Sequence, residues 1–241
     1  MIRRDSKVPI YHQLYKMLRE RIIRKEWRPG DMLPTENELI EKHGVSRSTV
    51  RQALDQLVSE DLIYRERGRG TFVAHPSIEQ TLTRIISFTE DMQQRGMEPH
   101  TEVLSSSVIP APEDIAKRLK IKPGEELARL ERLRLADGDP MSIEESYLVH
   151  RYCPGVLDDD YSKTPLRRAL EKRYGIRLVQ AKQTIRAVNA KPKIAEKLGI
   201  QVDGAVLMIE RVSYSSETVP VEFIRFHHRG DRYILYNELN D

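Results

Sequence analysis

The side chains best equipped for chemistry in this 241-residue chain form two clusters. The first is Ser46-Arg47-Ser48-Thr49 with Arg51, within the stretch HGVSRSTVRQAL (43–54). Guanidinium groups reach guanine edges and phosphates, and hydroxyls bond the phosphate backbone, so this cluster on the first turns of a helix suits a nucleic-acid surface. A solvated helix face with a good N-cap is the plainer alternative. The second cluster is Arg132 and Arg134, two apart on a strand and so on one face, with Glu144 and Glu222 on strands that return beside it. Neighbouring guanidinium groups repel unless an anion or a carboxylate lies between them. The two glutamates are candidate acceptors for polyol hydroxyls; the alternative is a set of surface cross-strand ion pairs.

The constellations an enzyme needs are missing. There is no nucleophile motif, no phosphate-cradling glycine loop and no pair of metal ligands four apart. His227-His228 is the only histidine doublet, and adjacent strand residues face opposite ways, which keeps both off one metal. Cys153, the only cysteine, precedes Pro154 in a loop. No catalytic residue, metal or cofactor is therefore expected. A single cysteine allows no intrachain disulfide, which fits a reducing cytoplasm. The basic N-terminus lacks the apolar run of a signal peptide, and no stretch approaches the roughly 20 apolar residues of a membrane span. The net charge of +3 is unevenly spread: residues 1–74 carry 15 Lys/Arg against 11 Asp/Glu, and the remainder 25 against 26. The positive excess lies where a polyanionic partner would leave its footprint.

Several elements must position the first cluster. Helical spacing runs through Ile10, Leu14, Met17, Leu18 and Ile22, with Pro9 at the first helical position and a stop expected at WRPGD (27–31). Thr35 and Glu38 are spaced as a capping box for a short second helix that Gly44 ends. Ser46 caps a third, whose apolar stripe is Val50, Ala53, Leu54, Leu57 and Val58. So short a connection makes a helix-turn-helix. LIYRERGRGTFVA then reads as strand 62–66, a tight turn over Arg67-Gly68-Arg69-Gly70 and strand 71–74. A basic, glycine-tipped hairpin directly after a helix-turn-helix is a wing.

PIYHQLYKMLRERI and RPGDMLPTENELIEKHGVSRSTVRQALDQLVSEDLIYRERGRGTFV resemble the winged-helix domain of the GntR family of bacterial transcription regulators. The resemblance implies DNA contacts by Ser46, Arg47, Thr49 and Arg51, with the wing tip at Gly68 and Arg69. Members of the family often carry an arginine where this chain has Asn37, whose amide can bond a phosphate or an adenine edge.

After this DNA-binding domain (1–74), AHPSIEQTLTR suggests an interdomain linker over 75–84, followed by a second domain over 85–241. SFTEDMQQRG (87–96) reads as a short helix capped near Ser87 and closed by Gly96. Beyond it the chain repeats. IAKRLKIKPGEELARLERLRL from Ile115 aligns with IAEKLGIQVDGAVLMIERVSY from Ile194 at an offset of 79, pairing Glu131 with Glu210 and Arg132 with Arg211. Each copy continues through a polar turn into a second strand. Two such helix–strand–turn–strand units, with helices on one face, would share an antiparallel sheet about a pseudo-twofold axis and leave a cleft between halves. The fold class is thus α+β.

From TRIISFTEDMQQRGMEP to HHRGDRYILY the chain resembles the effector-sensing domain of the HutC-like branch of GntR regulators, with its chorismate-lyase-like fold. SFTEDM, RLRLADGDPMSIEES and RGDRY make it most similar to repressors of N-acetylglucosamine utilisation, which sense glucosamine-6-phosphate and N-acetylglucosamine-6-phosphate. The resemblance implies a phosphate site from the backbone at Phe88 and Thr89 with Arg132, Arg134 and Thr164, and sugar contacts from Glu144 and Glu222. His228 stands where a tyrosine is expected. The expected protein is a homodimeric, effector-released repressor on a palindromic DNA operator. Other sugar phosphates or organic acids are alternative effectors. The rival readings are a lyase-like enzyme and a nucleoid-type binder without effector; the size of the second domain argues against the latter.

Overall fold

The computed structural model describes residues 2–4, 7–74, 78–81, 86–215 and 219–236. The chain divides into two compact units, 1–77 and 78–241.

The first unit contains α1 (Ile10–Ile23), α2 (Glu36–His43), α3 (Arg47–Ser59) and the hairpin β1 (Ile63–Glu66) and β2 (Gly70–Val73). The apolar faces of the helices meet in a core of Leu14, Leu18, Leu39, Val50, Leu54 and Leu57, all essentially inaccessible to solvent. Thr35 and Glu38 form the expected capping box, and Gly44 ends α2 in the left-handed conformation (φ 60°) that glycine adopts without Cβ strain. Ser46 caps α3 by accepting from Thr49 N.

Two boundaries of α1 differ from expectation. Pro9 is the N-cap residue, one position ahead of the helix, and α1 ends at Ile23 instead of WRPGD. Lys25 turns left-handed (φ 57°), and the Arg21 guanidinium pairs with Glu26 at 2.6 Å and lies 3.9 Å over the Trp27 ring. These local contacts close the helix before the proline is reached. The PGDML segment instead joins the wing, through Gly30 N to Val73 O (2.9 Å) and Leu33 N to Thr71 O (2.8 Å).

The second unit is built on a six-stranded antiparallel sheet ordered β4-β5-β6-β9-β8-β7. Its strands are β4 (Pro99–Pro110), β5 (Glu126–Ala136), β6 (Asp139–Val149), β7 (Leu178–Asn189), β8 (Ala205–Ser215) and β9 (Pro220–Arg229). The repeat is evident in this order: α5 (Glu113–Leu119) precedes β5-β6 as α7 (Pro192–Leu198) precedes β8-β9, and the two hairpins meet at β6-β9. Each repeat also has a leading strand, β4 or β7, that the sequence pattern did not reveal.

Strand alternation sorts the sheet into two faces. Leu127, Tyr147, Val149 and Phe223 pack with α5, and Leu133, Ile143 and Val206 with α7, so both helices cover one face. On the opposite face α6 (Leu166–Tyr174) packs on Ala128, Leu130 and Leu148, while α4 (Phe88–Gln94) carries Met92, which packs with Ala136, Met141 and Tyr233.

One expectation needs correction. Within the stretch read as linker, Ile78–Thr81 is a strand, β3, paired in parallel with β10 (Tyr233–Tyr236). Ile78 is fully buried against Met92 and Tyr233. That apolar anchor draws the segment into the second unit. Residues 75–77 and 82–84 lie outside the described residues.

Across the helix-covered face the repeats exchange ion pairs. Arg118 of α5 donates to Glu210 of β8 at 2.9 Å, and Lys197 of α7 pairs with Glu131 of β5. Arg225 and Arg129 complete the belt on Glu210 and Glu131. Burial alone would raise both carboxyls, but these partners hold them below the usual range. Their contribution is therefore present above the unfolded-chain value near pH ~4.3 and lost as pH falls through the folded values. Glu210→Gln should lower Tm at pH 7 and flatten its fall between about pH 5 and 3, which a melting series in buffered solution would show.

Candidate functional site

The first cluster lies on the exposed edge of the helix-turn-helix. Ser46 Oγ is within 2.9 Å of Ser48 Oγ and 2.8 Å of Thr49 Oγ1. Part of the hydroxyl crowding thus serves the helix's own cap. Arg47 and Arg51 project from the first turns of α3, both exposed. Arg47 Nη2 donates to Asn37 Oδ1 at 2.9 Å, and Arg51 Nε to the Glu36 carboxylate at 3.1 and 3.3 Å. At the wing tip Gly68 takes φ 78° with open space around it, and Arg69 pairs with Glu66 while lying 5.8 Å over the Phe72 ring. The surface offers hydroxyls, amides and cations to an extended polyanion.

The second cluster closes into a chamber of about 110 Å³ on the sheet face opposite α5 and α7. The floor comes from both repeats: Arg132 and Arg134 on β5, Glu144 on β6, Glu222 and His228 on β9, and Arg211 on β8. Phe88 and Thr89 of α4, Tyr233 of β10 and Arg167 of α6 form the walls. A wider groove of about 750 Å³ shares Arg167 and Arg211 with it.

Glu144 sits between the two arginines of β5. One carboxylate oxygen accepts from Arg132 Nη2, and the other from Arg134 Nε at 2.9 Å; Arg134 Nη1 donates to Thr101 Oγ1 at 2.8 Å. Burial pushes the Glu144 carboxyl up, yet the charges of Arg132 and Arg134 and their hydrogen bonds outweigh it and hold it at about 2. Burial, then the charge of Arg134, lowers Arg132 to about 10, which leaves it cationic at neutral pH. Its Nε and Nη1 are buried and have no hydrogen-bond partner among the described residues. Two orphaned donors on a buried cation are costly unless an acceptor meets them.

The other groups differ in character. Burial, helped by the charge of Glu144, raises Glu222, whose carboxylate accepts from Ser213 Oγ at 3.1 Å. Burial lowers His228 to about 3, so its ring is neutral; it lies 4.0 Å, centroid to centroid, from Tyr233 and is stacked on Phe226. His227 faces the other side of the sheet, paired across to Met208 and Ile143. Cys153 is buried, with its thiol pushed up to about 12 by burial, a poor nucleophile.

Seven of the eight residues expected to meet a ligand line the chamber: Phe88, Thr89, Arg132, Arg134, Glu144, Glu222 and His228. Thr164 does not. Its turn folds on itself through Thr164 N to Asp160 O (3.0 Å), and the lining begins at Pro165. Arg211 was missed, although its alignment with Arg132 in the repeat was a usable signal. Arg167 and Tyr233 carry no such mark.

Residues 10–73 match the family described as bacterial regulatory proteins, gntR family, and residues 94–234 match the UTRA domain. The HTH-type transcriptional repressor NagR of Bacillus subtilis (strain 168) is 38% identical over 239 residues, 99% of this chain and 98% of the relative. The mannosyl-D-glycerate transport/metabolism system repressor MngR of Escherichia coli (strain K12) is 30% identical, over 87% of this chain and 92% of its own. The crystal structure of PhnF from Mycobacterium smegmatis matches with a TM-score of 0.72 at 29% identity, covering 96% of this chain and 99% of that one. The chain belongs to the gntR family of bacterial regulatory proteins: a transcription regulator, not an enzyme, that joins a helix-turn-helix for a DNA operator to a UTRA domain for a small-molecule effector.

Proposed function

We propose that this regulator is a cytoplasmic, homodimeric repressor, released from a palindromic operator by an amino-sugar phosphate. N-acetylglucosamine-6-phosphate and glucosamine-6-phosphate are the candidates. The observation that carries the reading is the charge of the chamber. Three arginines of the sheet line it (Arg132, Arg134, Arg211) against Asp91, Glu144 and Glu222. Asp91 pairs with Arg95 at 2.8 Å, and burial favours the neutral form of Glu222. A surplus of cationic charge remains, and a phosphate monoester, near −1.5 to −2 at neutral pH, matches it. Arg132 Nε and Nη1 are the donors such a group would satisfy, and Phe88 and Thr89 line the same chamber. Glu144, Glu222 and His228 supply acceptors and a neutral ring for hydroxyl and amide groups. The similarity to NagR supports the same reading.

In this scheme two heads read half-sites about one helical turn, roughly 34 Å, apart. Ser46, Arg47, Thr49 and Arg51 of α3 meet the major groove, and Gly68 and Arg69 meet the backbone or minor groove. The effector favours head arrangements that miss that spacing. A tenfold loss of operator affinity needs only about 1.4 kcal/mol of differential binding.

The melting temperature with and without N-acetylglucosamine-6-phosphate tests the ligand. At about 100 times its Kd the phosphate should add roughly 2.7 kcal/mol, while unphosphorylated N-acetylglucosamine adds far less. Equal shifts, or none, would remove the phosphate from the proposal.

Division of labour is the second expectation. Arg132→Met should abolish that shift and leave operator binding intact, and Arg51→Ala should keep the shift and weaken operator binding. Either variant losing both functions while folded would contradict it.

Glu222 gives a third. Its folded pKa is raised, so the ligand-free protein carries no cost below the unfolded-chain value near ~4.3 and an increasing cost as pH rises through the folded value. The Tm gain of Glu222→Gln over the wild type should be near zero below about pH 4 and grow as pH rises above that, which a melting series in buffered solution would show.

A further inference from the structure

The arginines at the head of α3 are braced from the neighbouring helix. Arg51 Nε donates to both carboxylate oxygens of Glu36, and Arg47 Nη2 to Asn37 Oδ1. Glu36 and Asn37 are the first two residues of α2, and the Thr35–Glu38 capping box pins that turn. The brace on Arg51 holds its inner nitrogen alone. Nη1 and Nη2 have no partner among the described residues, so the outer fork, the part that fits O6 and N7 of guanine, is left presented. An exposed arginine otherwise samples many rotamers, and ordering it on DNA costs free energy that a preset orientation avoids. A carboxylate here also repels phosphate and so opposes sequence-independent attraction.

Resting on the reading of α3 as the DNA-reading helix, we infer that Glu36 is the positioning residue that makes Arg51 discriminate guanine at one base pair in each half-site. Asn37 plays the parallel part for Arg47: its carbonyl oxygen is already engaged, which leaves it a brace more than a reader of bases. Discrimination comes from the pair, arginine and acceptor, and the acceptor lowers general DNA affinity in exchange for selectivity.

The test uses the full-length chain. The preferred operator is first selected from randomised duplexes. Wild type, Glu36→Ala, Glu36→Gln and Arg51→Ala are then titrated at one salt concentration against that operator, against duplexes with each guanine replaced in turn, and against random DNA. Glu36→Ala should lose about tenfold of the discrimination at the same position where Arg51→Ala loses it. Its affinity for random DNA should hold or rise, and its Tm should match the wild type. Glu36→Gln, whose amide oxygen still accepts from Arg51 Nε, should fall between. The inference is overturned if Glu36→Ala keeps the full base profile, weakens all duplexes alike, or binds the operator more tightly, which would make the carboxylate a mask. A wild type that selects no sequence would overturn the DNA-reading role of α3 itself, a failure distinguishable from the others.

Discussion

The effector unit depends on one buried carboxylate held between two guanidinium groups. Glu144 receives Arg132 on one oxygen and Arg134 on the other. Without it the two cations of β5 would be buried side by side and uncompensated, a severe cost. With it, one negative charge offsets two positive ones, and the remainder is left facing the chamber. The same arrangement that makes burial tolerable therefore leaves the pocket short of an anion. Each nitrogen of Arg134 meets Glu144 or Thr101, whereas Nε and Nη1 of Arg132 meet no partner among the described residues. The arginine with the unpartnered nitrogens is the more deeply buried of the two.

The duplicated architecture explains why this chamber exists. Each repeat alone presents three strands and a helix, and the chamber takes its floor from both. Meeting at β6-β9, the two place Arg132 and Arg211 on one face and Glu131 and Glu210 on the other. The crossed ion pairs, Arg118 to Glu210 and Lys197 to Glu131, tie the helix of each repeat to the sheet half of the other. One face becomes a charged clamp between the halves. The other holds the chamber.

Much of this was legible in the residues. Capping signals are local, so Thr35, Glu38, Gly44 and Ser46 marked their helices to the residue, and the offset of 79 disclosed the paired hairpins. The end of α1 was not legible, because Lys25 and the Arg21–Trp27 contact close it through side-chain packing that no breaker residue announces. The leading strands β4 and β7 also escaped, since edge strands exposed on most positions lack a clean alternation. Of the site, Arg132, Arg134, Glu144 and Glu222 stood out by type and spacing. Tyr233, Arg167 and the bracing Glu36 did not, because their importance arises only from neighbours distant along the chain.

The parallel pair β3-β10 joins the opening strand of the effector unit to its closing one. Tyr233, at the start of β10, is a wall of the chamber, and its partner in register is Ile78, whose predecessors in the chain lead back to the wing. Ile78 N bonds the carbonyl of Arg232 at 2.6 Å. A ligand that steadies Tyr233 steadies this two-strand clasp, and linkage makes the relation reciprocal. The wall of the chamber at Tyr233 and the residue that opens the second unit are thus held by one and the same strand pair.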